Sequence, residues 1–367
     1  MLIVYGLTFD HTTNYGSCFQ AYALQQAIEK ITVKGEKCSY YLIPIRTFMN
    51  IPVDNFIMKV KWTLRKPFVF LQRYKFALFE KKYMKYVNCH QMEDLPLLNE
   101  KADAFVCGSD VIWNTDLNYK IGAFFLDFAT KYKFSYAASF GKAEIKKDAL
   151  TFAGEKLKSF DAISVRENTS LRIVNTCSDK EVKIVADPVI LLDTEEWKSI
   201  MSKSSMHNKY IFAYTTHMNN TFKNFLQTLK KLTGLQIVVS IWSLSVKQAL
   251  KQRKVSGQAP QEWLSLLHGA EYVVTNYFHA TVFSTLFHKK FFTVVSGDKA
   301  KGINMRMNDF LNAVGLGNRI YSSVPDTIDL SAIDYNNVDE KIALMRAKSL
   351  EYLKRNLEEA YKRKTHR

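Results

Sequence analysis

The chain has 367 residues, with 51 Lys and Arg against 35 Asp and Glu, a formal net charge of +16 at neutral pH. Its length exceeds the roughly 100–200 residues of one ordinary domain, so two domains are expected. A hydrophobic content of 47% excludes a mainly disordered chain, and no run reaches the roughly 18 uninterrupted apolar residues of a membrane span. The cationic surplus admits nucleic acid, an anionic membrane surface or an anionic small substrate as partner.

Residues 1–7, Met-Leu-Ile-Val-Tyr-Gly-Leu, lack a basic leader region and read as a buried first strand rather than a signal peptide, which points to the cytoplasm. A helix is predicted over 20–30, with Tyr22, Leu24, Ala27 and Ile28 on its buried side. Residues 56–86 hold many cations, one acid, Trp62 and several Phe and Tyr. They predict a pair of basic amphipathic helices broken at Pro67, which either lie on anionic lipid or pack their aromatics inward beneath a solvated charged face. Strands follow at 104–107, 134–138, 162–165 and 182–186, the last closed by Asp187-Pro188. The stretch 193–208 is polar without strong periodicity and marks a domain boundary. A second cycle then runs strand 210–214, helix 219–232, strand 235–241, helix 260–268 opening at Pro260, strand 271–275, helix 279–286 and strand 291–295. A long helix over 339–363 closes the chain, its final turns basic as the helix dipole favours.

Alternating strands and helices of this kind predict an α/β protein of two tandem Rossmann-like domains, 1–195 and 205–335, with a closing C-terminal helix at 336–367. That is a GT-B-like arrangement, shared by many two-domain α/β enzymes, so the motifs must decide the function. In parallel sheets functional groups collect at the C-terminal strand ends, and four clusters fall there.

The first is Asn14-Tyr15-Gly16-Ser-Cys-Phe-Gln20, where Gly16 permits close backbone approach and free N–H groups at a helix start suit an anion or a sugar hydroxyl. An ordinary strand-to-helix turn is the plain alternative. The second is Gly108-Ser-Asp110-Val-Ile-Trp113-Asn114, whose carboxylate, indole and carboxamide suit a sugar. The alternative has Asp110 capping a helix and Trp113 filling the core. The third is Ser164-Val-Arg166-Glu167, where Arg166 presents a fork to a carboxylate or phosphate, or pairs locally with Glu167. The fourth is Thr275-Asn276-Tyr277-Phe278-His279, which puts an imidazole at a strand-to-helix junction, with Lys301 and Arg306 on a later segment that reaches the same place. His217, at the first strand end of the second domain, is a weaker candidate of the same type. Five scattered cysteines offer no CxxC pair and no metal-ligand spacing; Cys18 lies in the first motif, but with no adjacent His to activate it.

Taken together, these clusters with Ser135-Tyr-Ala-Ala-Ser-Phe-Gly141, Asp187-Pro188 and Arg306-x-x-x-Phe-Leu…Gly315-Leu-x-x-Arg319 resemble the polysaccharide pyruvyl transferase family, from residue 1 to about 320. The resemblance implies a GT-B-like fold and transfer of the pyruvyl group of phosphoenolpyruvate to a sugar of a bacterial capsular polysaccharide or exopolysaccharide, as a cyclic ketal. It implies a catalytic role for His279 and donor contact by Arg166. Better-described members carry an Arg two residues before this His, where the present chain has Tyr277, so Arg306 is nominated as the replacement cation. The motif commonly reads Gly-Ser-Asp-Gln-Val-Trp-Asn, and Val111 stands in place of the Gln.

The expected site therefore comprises His279 and Asp110 as catalytic groups and Arg166, Arg306, Asn276 and His217 on the donor. Asn14, Tyr15, Gly16, Gln20, Trp113 and Asn114 are expected on the acceptor side. No metal and no cofactor is expected beyond phosphoenolpyruvate as co-substrate. The expected acceptor is a polyprenyl-diphosphate-linked oligosaccharide, with peripheral contact at an anionic membrane. Two competing readings are a GT-B glycosyltransferase using a nucleotide-sugar, for which no Gly-rich pyrophosphate loop is visible in 254–284, and a nucleic-acid binder, for which no known module is visible.

Overall fold

The computed structural model describes residues 1–10, 12–44, 66–115, 121–203, 206–215, 218–241, 253–255, 257–295 and 301–366. The chain divides into two compact units. Unit 1 comprises 1–67, 76–192 and 344–367; unit 2 comprises 68–75 and 193–343.

In unit 1, β1 (Leu2–Leu7) leads into α1 (Tyr15–Lys30), then β2 (Thr32–Val33), β3 (Glu36–Leu42) and α2 (Lys66–Tyr83), a helix whose residues 68–75 are assigned to unit 2. After a 3-10 segment at Met92–Glu100 come β4 (Ala104–Cys107), β5 (Tyr132–Ser135), α3 (Lys147–Leu157), β6 (Ile163–Val165), α4 (Asn168–Cys177) and β7 (Val182–Ile184). The main sheet has the order β2-β3-β1-β4-β5, parallel except for the β2–β3 hairpin. The parallel pair β6–β7 continues it through bridges from Phe134 to Ala162 and from Ala138 to Val165. Strands covered on both faces need apolar side chains in both directions, which is why Ala104–Cys107 is an unbroken apolar run buried throughout. Phe105, Trp113, Phe125, Phe140 and Phe160 sit in the core beside that strand.

Unit 2 opens with α5 (Thr194–Ser199), then β8 (Tyr210–Thr215), α6 (Asn220–Thr233), β9 (Gln236–Ile241), β10 (Arg253–Val255), α7 (Pro260–His268) and β11 (Tyr272–Thr275). It continues with α8 (Phe278–Leu286), β12 (Lys290–Val294), α9 (Lys301–Val314) and β13 (Ile320–Tyr321). Its sheet, β10-β9-β8-β11-β12-β13, is parallel throughout. The ends of α6 are set locally. Asn219 accepts a bond from Phe222 N at 2.7 Å, and Gly234 adopts the left-handed conformation that lets its N–H reach Lys230 O at 2.9 Å. The final helix, α10 (Asn336–Thr365), begins in unit 2 and ends in unit 1.

The α/β architecture with parallel sheets is the expected one, and the element order follows the predicted cycle. Several boundaries differ. The helix predicted from residue 20 starts at Tyr15, because Asn14 caps it through Gly16 N (2.9 Å) and Ser17 N (3.3 Å), so the first motif is itself the opening turn. Of the predicted basic pair, the first helix lies outside the described residues; the second is α2, which carries Pro67 in its first turn, where its missing N–H costs nothing. The supposed linker 193–208 contains α5, opened by a capping box in which Asp193 and Glu196 bond each other's backbone N–H.

Candidate active site

In unit 1 the C-terminal ends of β1, β4, β5 and β6 carry a continuous buried polar network. Gln20, fully buried, donates to Thr8 Oγ1 and to Ser17 O, each at 2.9 Å, and accepts from Ser109 N at 3.3 Å. It therefore ties α1 to the loop after β4. Asp110 stands in that loop at φ +68°, a left-handed conformation that Asp tolerates better than most residues. Its carboxylate accepts from Ser17 Oγ at 2.5 Å and from Val111 N at 2.8 Å. Gly108 has φ +122°, and a Cβ there would come within 2.1 Å of the Tyr136 carbonyl oxygen, so the turn requires glycine.

Arg166 lies one strand further, with 3% of its side chain exposed. Its Nη1 donates to Asp187 Oδ2 at 2.6 Å and to Ser109 Oγ at 3.5 Å, while Nε faces Glu167 at 3.5 Å. Burial pulls the guanidinium pKa down, but the fields of Asp187, Glu167 and Asp110 outweigh it and hold the group above its ordinary value. Glu167 in turn accepts from Ser139 Oγ at 2.6 Å and from Ser170 Oγ. The local ion pair, one of the two readings of Arg166, is thus present in the fold.

The remaining acceptor-side nominees divide. Trp113 is wholly buried, stacked on Phe125 at 5.2 Å and bonded through Nε1 to Phe124 O at 3.2 Å. Its indole offers no face to a sugar, and the core reading of it holds. Tyr15 is also interior, against Phe76 at 5.1 Å. Asn14 and Gly16 serve the helix cap, and Gln20 directs its amide inward, so these three build the loop rather than present it. Asn114 is half-buried at the loop's end. Cys18 is buried, and burial followed by the field of Glu80 raises its thiol pKa well above the ordinary value, which removes thiolate character.

In unit 2 the strand-end cluster is compact. Thr275 Oγ1 donates to Tyr214 O at 2.7 Å and accepts from Tyr277 N at 3.0 Å, which fixes the turn between β11 and α8. His279 then falls in the first turn of α8, 3% exposed, its ring 5.2 Å from Phe278 and 5.7 Å from Tyr277. The Arg306 guanidinium, on α9, lies 6.0 Å from the centre of the Phe278 ring. His279 and Arg306, 27 positions apart in the sequence, therefore both lie near one aromatic side chain. Asn276 is buried at the same turn. His217 and the side chain of Lys301 lie outside the described residues.

Asp187 and Ser139 stand in the motifs with no role expected of them, as do Ser17, Ser109 and Ser170 within or beside the motifs, while Glu167 is expected only as a local partner of Arg166. Their common signal is a small hydroxyl or a carboxylate just past a strand end. Among the described residues no group of three or more His, Cys, Asp or Glu could hold a metal ion. A cavity of about 630 Å³ in unit 1, lined by Met92, Leu95, Phe128, Phe152, Asp127 and Lys156, is bordered by none of the nominated residues.

Two parallel α/β units with polar groups at their strand ends define a GT-B-type fold. The chain is similar to the structure of a putative UDP-N-acetylglucosamine 2-epimerase from Listeria monocytogenes, with 9% identity over 98% of this chain and 90% of that one and a TM-score of 0.53. A second UDP-N-acetylglucosamine 2-epimerase structure gives 9% identity over 100% and 97% of the two chains, again at 0.53. At such identity the likeness shows the fold alone. No curated protein matches by sequence. The family model for polysaccharide pyruvyl transferases matches residues 14–298, and the chain belongs to that family of transferases.

Proposed function

We propose that the protein transfers the pyruvyl group of phosphoenolpyruvate to a sugar of a bacterial surface glycan, forming a cyclic ketal and releasing phosphate. The observation that carries this reading is the placement of His279 and Arg306 near the Phe278 ring, within a chain of this family. Phosphoenolpyruvate presents a carboxylate and a phosphate around an enol carbon. A proton delivered to its methylene makes C2 electrophilic, a sugar hydroxyl adds there and loses its proton, and a second hydroxyl displaces phosphate to close the ring. The sequence of steps is redox-neutral and needs a proton donor, a proton acceptor and cations for two anionic groups.

An imidazole suits proton transfer near neutral pH, and His279 is assigned as general acid/base. Arg306 and Asn276 are assigned to the donor, with Arg306 supplying the fork that Tyr277 does not. Asp110 is assigned to deprotonating an acceptor hydroxyl, with Asn114 beside it. Arg166 remains a donor ligand only if Asp187 yields part of the fork on binding. The acceptor is assigned as a polyprenyl-diphosphate-linked oligosaccharide, met at the inner face of the cytoplasmic membrane.

Incubation with phosphoenolpyruvate and a panel of lipid-linked glycans tests the reading, with phosphate release and the mass of a pyruvyl ketal on the glycan as the readout. Consumption of a nucleotide-sugar in place of phosphoenolpyruvate would instead establish a glycosyltransferase.

A further inference from the structure

Helix α2 buries one side and leaves a broad opposite side exposed. Gln72, Phe76, Phe79 and Glu80 are buried, the two phenylalanines 2% and 0% exposed. On the other side Phe70 is 72% exposed, Leu71 45%, Tyr74 54% and Leu78 48%. At about 100° per residue these four, with Ala77, Arg73, Lys81 and Lys82, fall within roughly half a turn of the helix surface. Arg73 stands at one edge of that arc, Lys82 at the other, and Lys81 at its C-terminal end; all three are exposed. Glu80 is the single acid between Lys66 and Tyr83, and it is buried. The exposed face therefore offers large apolar groups and cations with no acid of its own, and just past its Lys82 edge Lys75 pairs with Glu262 at 2.9 Å.

We infer that this face of α2 is a docking surface for an anionic lipid bilayer. Phe70, Leu71 and Leu78 enter the boundary between headgroups and acyl chains, Tyr74 sits with its ring in that boundary and its hydroxyl in water, and Arg73, Lys81 and Lys82 meet the lipid phosphates. An acid-free aromatic stripe edged by cations suits such a surface on both counts, apolar area and charge. The purpose of the docking rests on the lipid-linked acceptor proposed above, but vesicle binding itself is measured without glycan or donor.

The experiment is flotation of the full-length protein with phosphatidylcholine vesicles and with mixed phosphatidylcholine–phosphatidylglycerol vesicles, at low and high salt. Binding is expected to the mixed vesicles and to weaken with salt. The Arg73→Gln/Lys81→Gln/Lys82→Gln variant is expected to lose on the order of 100-fold in affinity for them. Phe70→Ser/Tyr74→Ser/Leu78→Ser is expected to lose binding at either salt. All six positions are exposed, so both variants should fold, and their transfer rates on a water-soluble acceptor fragment should match the parent. Equal flotation with neutral and anionic vesicles, or undiminished binding by either variant, overturns the inference. So does a parent dimer that these substitutions convert to monomer with no vesicle binding, since the face would then be covered by a second copy. Loss of ketal formation with intact flotation would refute the proposed chemistry and leave the docking surface standing.

Discussion

Arg166 shows how a residue chosen for binding can first be needed for folding. Its guanidinium and the Asp187 carboxylate, with 3% and 1% of their side chains exposed, have replaced water with each other. Breaking such a pair leaves one charge buried alone, and Arg166→Ala is expected to destabilise by about 3–5 kcal/mol in denaturant unfolding. Adding Asp187→Ala should recover much of that loss; if transfer stays abolished once stability has returned, the fork also holds the donor. For His279 the expected outcome is kinetic: His279→Asn should lower the transfer rate by about 10²–10⁴ with a near-parental melting temperature, measured by phosphate release. A near-parental rate would remove the imidazole from the chemistry. The positions of Asp110, Arg166 and His279 just past strand ends were legible because the crevice rule applies to any parallel sheet. The loss of Trp113 and Gln20 to the interior was not, since an indole or an amide looks the same in sequence whether it meets a sugar or a neighbouring loop.

At the scale of elements, apolar runs of four to six residues located β4, β8 and β11 to within a residue, because burial on both faces leaves no alternation to misread. Short elements set by turns escaped. The β2–β3 hairpin depends on Lys34 and Gly35, both at positive φ (49° and 83°), and α5 depends on its Asp193–Glu196 box rather than on periodicity. Helix α7 carries a pH effect. His268 in its last turn meets Phe287 edge-on at 5.1 Å, and burial, then Lys289 and Lys198, lowers its pKa below the ordinary 6.5. Unfolding at mildly acid pH therefore takes up a proton that the folded imidazole refuses, so this contribution is complete above about 6.5 and declines as the pH falls through the folded pKa. His268→Phe should flatten that part of the stability profile; an unchanged slope would assign it to other groups. Helix α10 is a second test. In unit 1 it buries Leu353 and Leu357, bonds Tyr132 Oη through Asn356 at 2.8 Å and grips Ile190 O through Arg346 at 2.6 Å. Each buried Leu contributes about 1.5–3 kcal/mol against a net domain stability of only about 5–15. A chain ended at Ala343 is expected to lose protease resistance selectively in unit 1.

For the whole molecule, the surplus of +16 gains places but no single partner. Arg166 is neutralised internally by Asp187 and Glu167, and Arg319 is buried beside Asp329. Such cations support the fold, whereas Arg306 and the exposed face of α2 are where the two proposed anionic partners, a small dianion and a bilayer, would be met. Among the described residues no helix is long and apolar enough to cross a membrane.

The division of the chain also bears on its birth. Unit 1 is discontinuous, made from residues 1–67 and 76–192 and completed by 344–367, with most of unit 2 encoded between. A ribosome delivers sequence in one direction, so the first unit emerges lacking the segment that supplies the buried Leu353, Leu357 and Ala360, while nearly all of the second has appeared before that segment is made. Maturation should thus proceed out of reading order. Unit 2 can consolidate while unit 1 waits with apolar surface uncovered, and chaperone demand is expected to peak just before the last helix leaves the exit tunnel.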